Sequence, residues 1–323
     1  MNNYIKFGFY AFILTALAYA CSTEKNTAIN RSFHYVNARF NGHFNANELL
    51  NVSLATFREN LTENYYSLLP LEAIPNETEV ESLHAPIDTA LSKIKIVIAD
   101  HSMPTVDKPS KKNAENNNYI DENWITAGKA YYYRRDYETA MKSFKFINKY
   151  FSNNPSNYVG ELWMAKTNIR TGNYADAKLS LDKLDKALTA EKANSGKSEK
   201  VSKNKSKLDK LNKVGVSSSS KNEDKIAKFP KKIKFEFERT KADLALAHKD
   251  YPKVIEFLEN ALKEAKKSED KGRVNYILGQ LYEQENNIGN AVAKYRKSRK
   301  YKIPYQMSFS AELKASMLEG GSK

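Results

Sequence analysis

The chain has 323 residues, 41% of them hydrophobic, with 12 glycines and 9 prolines: enough apolar material for a packed core and too few turn residues for an all-β fold. Basic residues outnumber acidic ones by 52 to 38, a net charge of +14. A single cysteine excludes an internal disulfide framework.

The first element is an export signal over residues 1–20. Lys6 precedes a run of 14 apolar or small residues, Phe7 to Ala20, too short to span a bilayer as a mature helix and the right size for a signal core. Cys21 follows at once. Its thiol is placed to take a diacylglyceryl group, which makes Cys21 the expected lipidation site and the mature N-terminus. Ala18-Tyr19-Ala20 also fits ordinary A-x-A cleavage, and Ala18 stands where a lipobox usually has Leu. An unpaired exposed thiol in an exported chain favours acylation. Two or three acyl chains, at about 0.8 kcal/mol per buried CH₂, would hold the chain on a membrane.

Residues 21–103 form a lipid anchor and N-terminal helical region. Phe33, Val36, Phe40 and Phe44 recur at helical spacing, Leu50, Leu54, Phe57 and Leu61 mark a second helix, and both stripes are assigned to the core of a helix pair that caps the rest of the fold. Tyr65 to Pro75 is a connector whose Leu68, Leu69, Leu71 and Ile74 pack along the helices. A third helix carries Ile87, Leu91, Ile94, Val97 and Ile98, with His101 at its end as a C-terminal cap. Residues 104–118, rich in Pro, Lys and Asn, are a mobile linker.

Beyond the linker the sequence repeats. Arg135-Asp136-Tyr137, Gly172-Asn173-Tyr174, Lys249-Asp250-Tyr251 and Asn286-Asn287-Ile288 are one turn in four copies, and their third residues lie 37, 77 and 37 positions apart. A period slightly above 34 is that of tetratricopeptide repeats with lengthened loops. Trp124, Gly128, Tyr131, Ala140 and Phe144 give the packing pattern of the first repeat, Ala177 belongs to the second, and Gly279, Tyr282, Ala291 and Tyr295 repeat it in the fourth. Small residues stand where helices approach, and aromatic residues fill the space around them. The repeats occupy 119–189 and 229–303, and 304–323 begins another helix. Between them, residues 190–228 hold eleven lysines against five carboxylates, with Ser and Asn and little that is apolar, the composition of a disordered insertion. The fold class is therefore all-α: a tetratricopeptide solenoid with an N-terminal helical cap and a disordered Lys-rich insertion.

No pattern for chemistry accompanies this fold. Gly196-Lys197-Ser198 lacks the glycine five residues earlier that a phosphate-binding loop needs, since Glu191 is there. His34, His43, His84, His101 and His248 never form H-x-x-H or H-E-x-x-H. The expectation is a binding protein, not an enzyme, with no cofactor, metal site, small-molecule substrate or nucleic-acid partner.

Lys25-Asn26-Thr27, Asn30-Arg31, His34, Arg39-Phe40-Asn41 and Phe44-Asn45-Ala46-Asn47-Glu48 resemble the opening of the SprE/PorW-like gliding-motility lipoproteins of the type IX secretion system in Bacteroidota. Tyr66 to Pro70, Ile98 to Met103 and Trp124 to Phe151 resemble later segments of that family, in the same order. The resemblance implies a tetratricopeptide lipoprotein on the periplasmic face of the outer membrane, a scaffold whose partners are secretion and gliding proteins. Only Cys21 carries over as a functional position. Members are longer, so the resemblance implies a truncated copy or a short paralogue. Two other readings stay open, a carbohydrate-binding uptake lipoprotein and an outer-membrane assembly lipoprotein.

Overall fold

The computed structural model describes residues 26–104, 115–208 and 227–321, without the side chains of 192, 194–208 and 321. The signal segment 1–20 and Cys21 lie outside them, as do 105–114 and 209–226. Among the described residues the structure is helical, and the one β contact is an isolated bridge between Pro104 and Glu115.

Helix α1 (Ala28–Val36) opens on Thr27, whose hydroxyl accepts from the Asn30 amide. It runs without a break through a π-helical segment, Asn37–His43, into α2 (Phe44–Asn60). The expected helix pair is thus one long helix, and its true partner is α3 (Glu81–His101). The phase differs as well. Phe33, Val36, Phe40 and Phe44 are 48–59% exposed, whereas His34, Ala38 and Ala46 are buried. Gly42 explains the inversion: a Cβ there would lie 1.6 Å from Cγ2 of Val97, so this helix meets α3 on its small residues and turns its large ones out.

Four helix pairs come next: α4 (Ile120–Tyr133) with α5 (Tyr137–Tyr150), α6 (Ser156–Arg170) with α7 (Tyr174–Leu208), α8 (Lys234–Ala247) with α9 (Tyr251–Glu264), and α10 (Ser268–Gln284) with α11 (Ile288–Ser298). Helix α12 (Tyr305–Gly321) closes the row. Each pair turns on the same device. Arg135, Gly172, Lys249 and Asn286 have φ between 55° and 76°. The following amide in each copy reaches back to the carbonyl five residues earlier, Asp136 to Tyr131, Asn173 to Asn168, Asp250 to Ala245 and Asn287 to Tyr282, all within 3.0 Å. This is the left-handed cap of a Schellman motif. Asp136, Asp250 and Asn287 then cap the returning helix by accepting from the amide three residues on.

The predicted packing residues sit inside these pairs. A Cβ on Gly128 would lie 2.4 Å from the Phe144 ring, and one on Gly279 would lie 2.7 Å from that of Tyr295. Ala140, Phe144, Ala177, Ala291 and Tyr295 are fully buried. Trp124 stacks on Phe146 at 4.3 Å, and Tyr131 and Tyr282 are half-buried.

Both interrupting segments are shorter than their sequence bounds. Helix α7 continues through Ala190 to Leu208, and Phe229 is already buried between the rings of Tyr158 and Phe237. Glu115 accepts from the Met103 amide, and Asn117, fully buried, donates to the His101 carbonyl, so the expected linker is pinned at both ends. That bond caps α3, while the His101 ring turns to His34, Nδ1 to Nδ1 at 3.0 Å.

Candidate functional site: a groove filled by its own chain

The leading helices α4, α6 and α8 contact one another in series, with α10 following, and their shared face is the groove where a repeat solenoid would receive a ligand. Here the connector occupies it. At the α10 end, Arg273 donates both guanidinium nitrogens to Glu63, at 2.7 and 2.9 Å, and a further bond to the Pro70 carbonyl. Gln280 holds the backbone from both sides: its amide nitrogen donates to Ser67 O at 2.6 Å, and its Oε1 accepts from Leu69 N at 3.0 Å. The Tyr276 hydroxyl donates to Tyr65 O. Leu69 and Leu71 are 2% exposed and join the core of the last two repeats. At the α4 end Arg135 donates to Pro75 O.

Glu72 is the centre of this contact. Its Oε2 lies 2.8 Å from Lys166 Nζ and 3.1 Å from the Arg239 guanidinium, and its Oε1 accepts from the Tyr133 hydroxyl at 2.8 Å. Glu236 stands behind, 2.5 Å from Arg239 and 3.3 Å from Lys166. Two carboxylates and two cations from the connector, α6 and α8 are thereby matched in number. Burial alone would push the Glu72 carboxyl up; the charges of Arg239 and Lys166, with hydrogen bonds from Lys166 and Tyr133, hold it well below the usual carboxylate range. Glu236 is lowered against its own burial by the same two cations. Asp243, paired with Arg170, is pushed up because burial outweighs the guanidinium.

Among the described residues, Lys129 on this face forms no ion pair of that kind. Lys129, a turn before Tyr133, sits 5.3 Å from the Trp163 ring centroid, and burial lowers its amine to about 8, with Glu122 opposing and Lys232 and Lys166 adding to the effect. Among the described residues no group of three or more His, Cys, Asp or Glu side chains is gathered as a metal would need. What this arrangement does chemically is bind an extended acidic segment.

Sequence reasoning placed Leu69 and Leu71 against helices but missed Glu72, Lys166, Arg239, Gln280 and Arg273, because no local pattern links a connector to helices about 100–200 residues away. The visible signal was a lone Glu in an apolar run, Leu68-Leu69-Pro70-Leu71-Glu72-Ala73-Ile74. A carboxylate there has to be paired.

Among the described residues the architecture is a helical, tetratricopeptide-type fold, with repeated turns, paired helices and a shared inner face. No protein-family profile matches the chain, and no curated protein does. Among solved structures it is similar to a tetratricopeptide repeat protein from Parabacteroides merdae ATCC 43184, at 11% identity and a TM-score of 0.42, over 97% of this chain and 94% of that one. The fold assignment rests on the turns and pairs themselves.

Proposed function

We propose that this chain is a non-catalytic scaffold, tethered through Cys21 to the periplasmic face of the outer membrane, that joins partner proteins of type IX secretion and gliding motility. The family part of the reading is supported by the likeness of the Asn- and aromatic-rich opening, Lys25 to Glu48, and the tether by the position of the sole cysteine behind the export signal. The filled groove is the observation that carries the mode of action. With connector and helices bonded along its length, partners meet the solenoid on α12, which exposes Tyr305, Phe309, Leu313 and Met317 at four-residue intervals. The opposite side of α12, with Met307, Ala311 and Ala315, is buried in the core of the last repeats.

Two measurements test the reading. Labelling cells with an alkyne fatty acid should mark the wild type and not Cys21→Ala; an unlabelled wild type ends the lipoprotein proposal. Crosslinking and pull-down of the tagged chain should recover secretion or gliding components, and Phe309→Asp with Leu313→Asp should reduce that recovery. Undiminished recovery removes the α12 edge, and no recovery from the wild type removes the type IX assignment.

A further inference from the structure

The inverted phase of α1 leaves a surface that the scaffold reading does not use. Ile29, Phe33, Val36, Phe40 and Phe44 are 81, 48, 48, 52 and 59% exposed along one side, while His34, Ala38, Gly42 and Ala46 are buried along the other. A strict four-residue spacing drifts by about 40° per step on an α-helix of 3.6 residues per turn. Over the three steps from His34 to Ala46 that would rotate the buried face out of contact. The π-helical segment Asn37–His43 has a wider turn and absorbs the drift, so the inner stripe keeps its contact over three turns and the outer stripe runs beside it over four.

Three observations say what covers the outer stripe. From Ala28 to Asn47 the chain has no Asp or Glu and two arginines, Arg31 and Arg39. Both are exposed, and Arg39 lies 4.8 Å from the Phe40 ring centroid, where guanidinium and aromatic face form one amphipathic rim. Bulky apolar residues on a segment that carries arginines and no carboxylate of its own suit the boundary between headgroups and acyl chains of an anionic membrane. The third observation is position: Cys21 precedes Ile29 by eight residues, which at full extension reach about 28 Å. A chain acylated at Cys21 therefore holds this stripe within reach of the bilayer permanently.

We propose that the outward face of α1 lies on the anionic lipid surface to which Cys21 tethers the chain, fixing the orientation of the solenoid instead of leaving it to swing on its anchor. This rests on the lipoprotein reading, and the test separates the two. The full chain, extracted from cells, is treated with a thiol-specific nitroxide as wild type, Phe40→Cys and Glu256→Cys. Each is then reconstituted in vesicles of phosphatidylethanolamine and phosphatidylglycerol. An acylated Cys21 takes no label, so the wild type stays silent and each variant reports one position. The expected result is a label at position 40 that oxygen reaches and an aqueous nickel chelate reaches several-fold less than the label at the exposed position 256; adding Arg31→Glu and Arg39→Glu should return it towards water. Equal nickel access at the two positions overturns the docking. So does shielding at position 40 from both reagents that persists in detergent, which marks a protein partner or a second copy on the stripe. A labelled wild type refutes the tether alone, and the same oxygen-to-nickel comparison in a Cys21→Ser background then upholds or overturns the docking.

Discussion

Replacing Glu72 by Gln keeps the shape of the side chain and removes the charge on which the connector's seat depends. Lys166 and Arg239, 3% and 9% exposed, would then share one carboxylate, Glu236, instead of two. Breaking a buried ion pair from one side costs about 3–5 kcal/mol. Because Glu236 remains, the lower end applies, about 3 kcal/mol, or roughly a 6–12 °C fall in melting temperature for a chain of this size. Pairing the change with Glu236→Gln should give a loss larger than the two single losses combined, since each carboxylate partly covers for the other. The effect should also be local first. The Leu69 amide, which donates to Gln280, should exchange hydrogen faster in the variant than amides of α5. The pH dependence has a definite sign: Glu72 and Glu236 titrate below the ordinary 4.5 when folded, so their stabilisation is complete above that pH and is lost on acidification through their lowered values. Glu72→Gln should flatten that acid limb. A melting temperature within a degree of wild type, with unchanged exchange at Leu69, would refute the claim that this carboxylate seats the connector.

Lys129 acts at the other end of the pH scale. Its folded value, about 8, lies below the ordinary 10.5, so the unfolded chain binds more protons between those values and stability should rise there with pH; Lys129→Met should abolish the rise in a series of thermal melts. The glycines separate three effects, two losses and one gain, that calorimetry or urea titration can rank. Gly128→Ala should lose about 1–3 kcal/mol by forcing the Phe144 ring aside. Gly172→Ala, with φ at +76° and open space around the new Cβ, should lose about 1 kcal/mol from backbone strain alone. Gly289→Ala, helical and also unobstructed, should gain about 0.5–1 kcal/mol. The lysine-rich composition of residues 190–228 predicts that limited trypsin cuts there before anywhere in α4–α6, and that replacing 209–226 with a short Gly-Ser bridge leaves the melting temperature unchanged; an early cut inside the repeats would contradict this.

The repeats were legible because their information is local. A left-handed residue followed by Asp or Asn specifies a helix reversal within three positions, and four copies in register exclude coincidence. The paired small and aromatic residues of each repeat act within one hairpin, so periodicity found them too. The first helix was misread for the opposite reason. Its apolar stripe is real, but which stripe faces the protein depends on whether the neighbouring helix offers room for Phe or only for Gly. Val97 settles that from α3, in contact with Gly42 across 55 positions of sequence. The π-helical turn that keeps the face straight has no sequence signature by itself, although His34, Ala38, Gly42 and Ala46 at unbroken four-residue spacing ask for one.

A filled groove changes where such a repeat fold can interact. An extended partner entering it would first have to displace two leucines buried to 2% exposure, about 1.5–3 kcal/mol each by area, and a carboxylate held by two cations and a phenol. It would also compete with a segment that is always present at the effective concentration of its own tether. The connector is therefore better regarded as the inner lining that holds α4, α6, α8 and α10 at fixed spacing, with Arg273 and Arg135 fastening its two ends. Among the described residues, two apolar stripes run exposed along a helix, the outer stripe of α1 and the outer stripe of α12, at opposite ends of the helix order. Their compositions differ in the way their proposed occupants require. The segment Ala28 to Asn47, which carries Phe33 and Phe40, has two arginines and no carboxylate of its own, as a lipid surface needs. Around Phe309 and Leu313, Glu312 and Glu319 alternate with Lys314 in a mixed field that repels neither sign, which suits another protein.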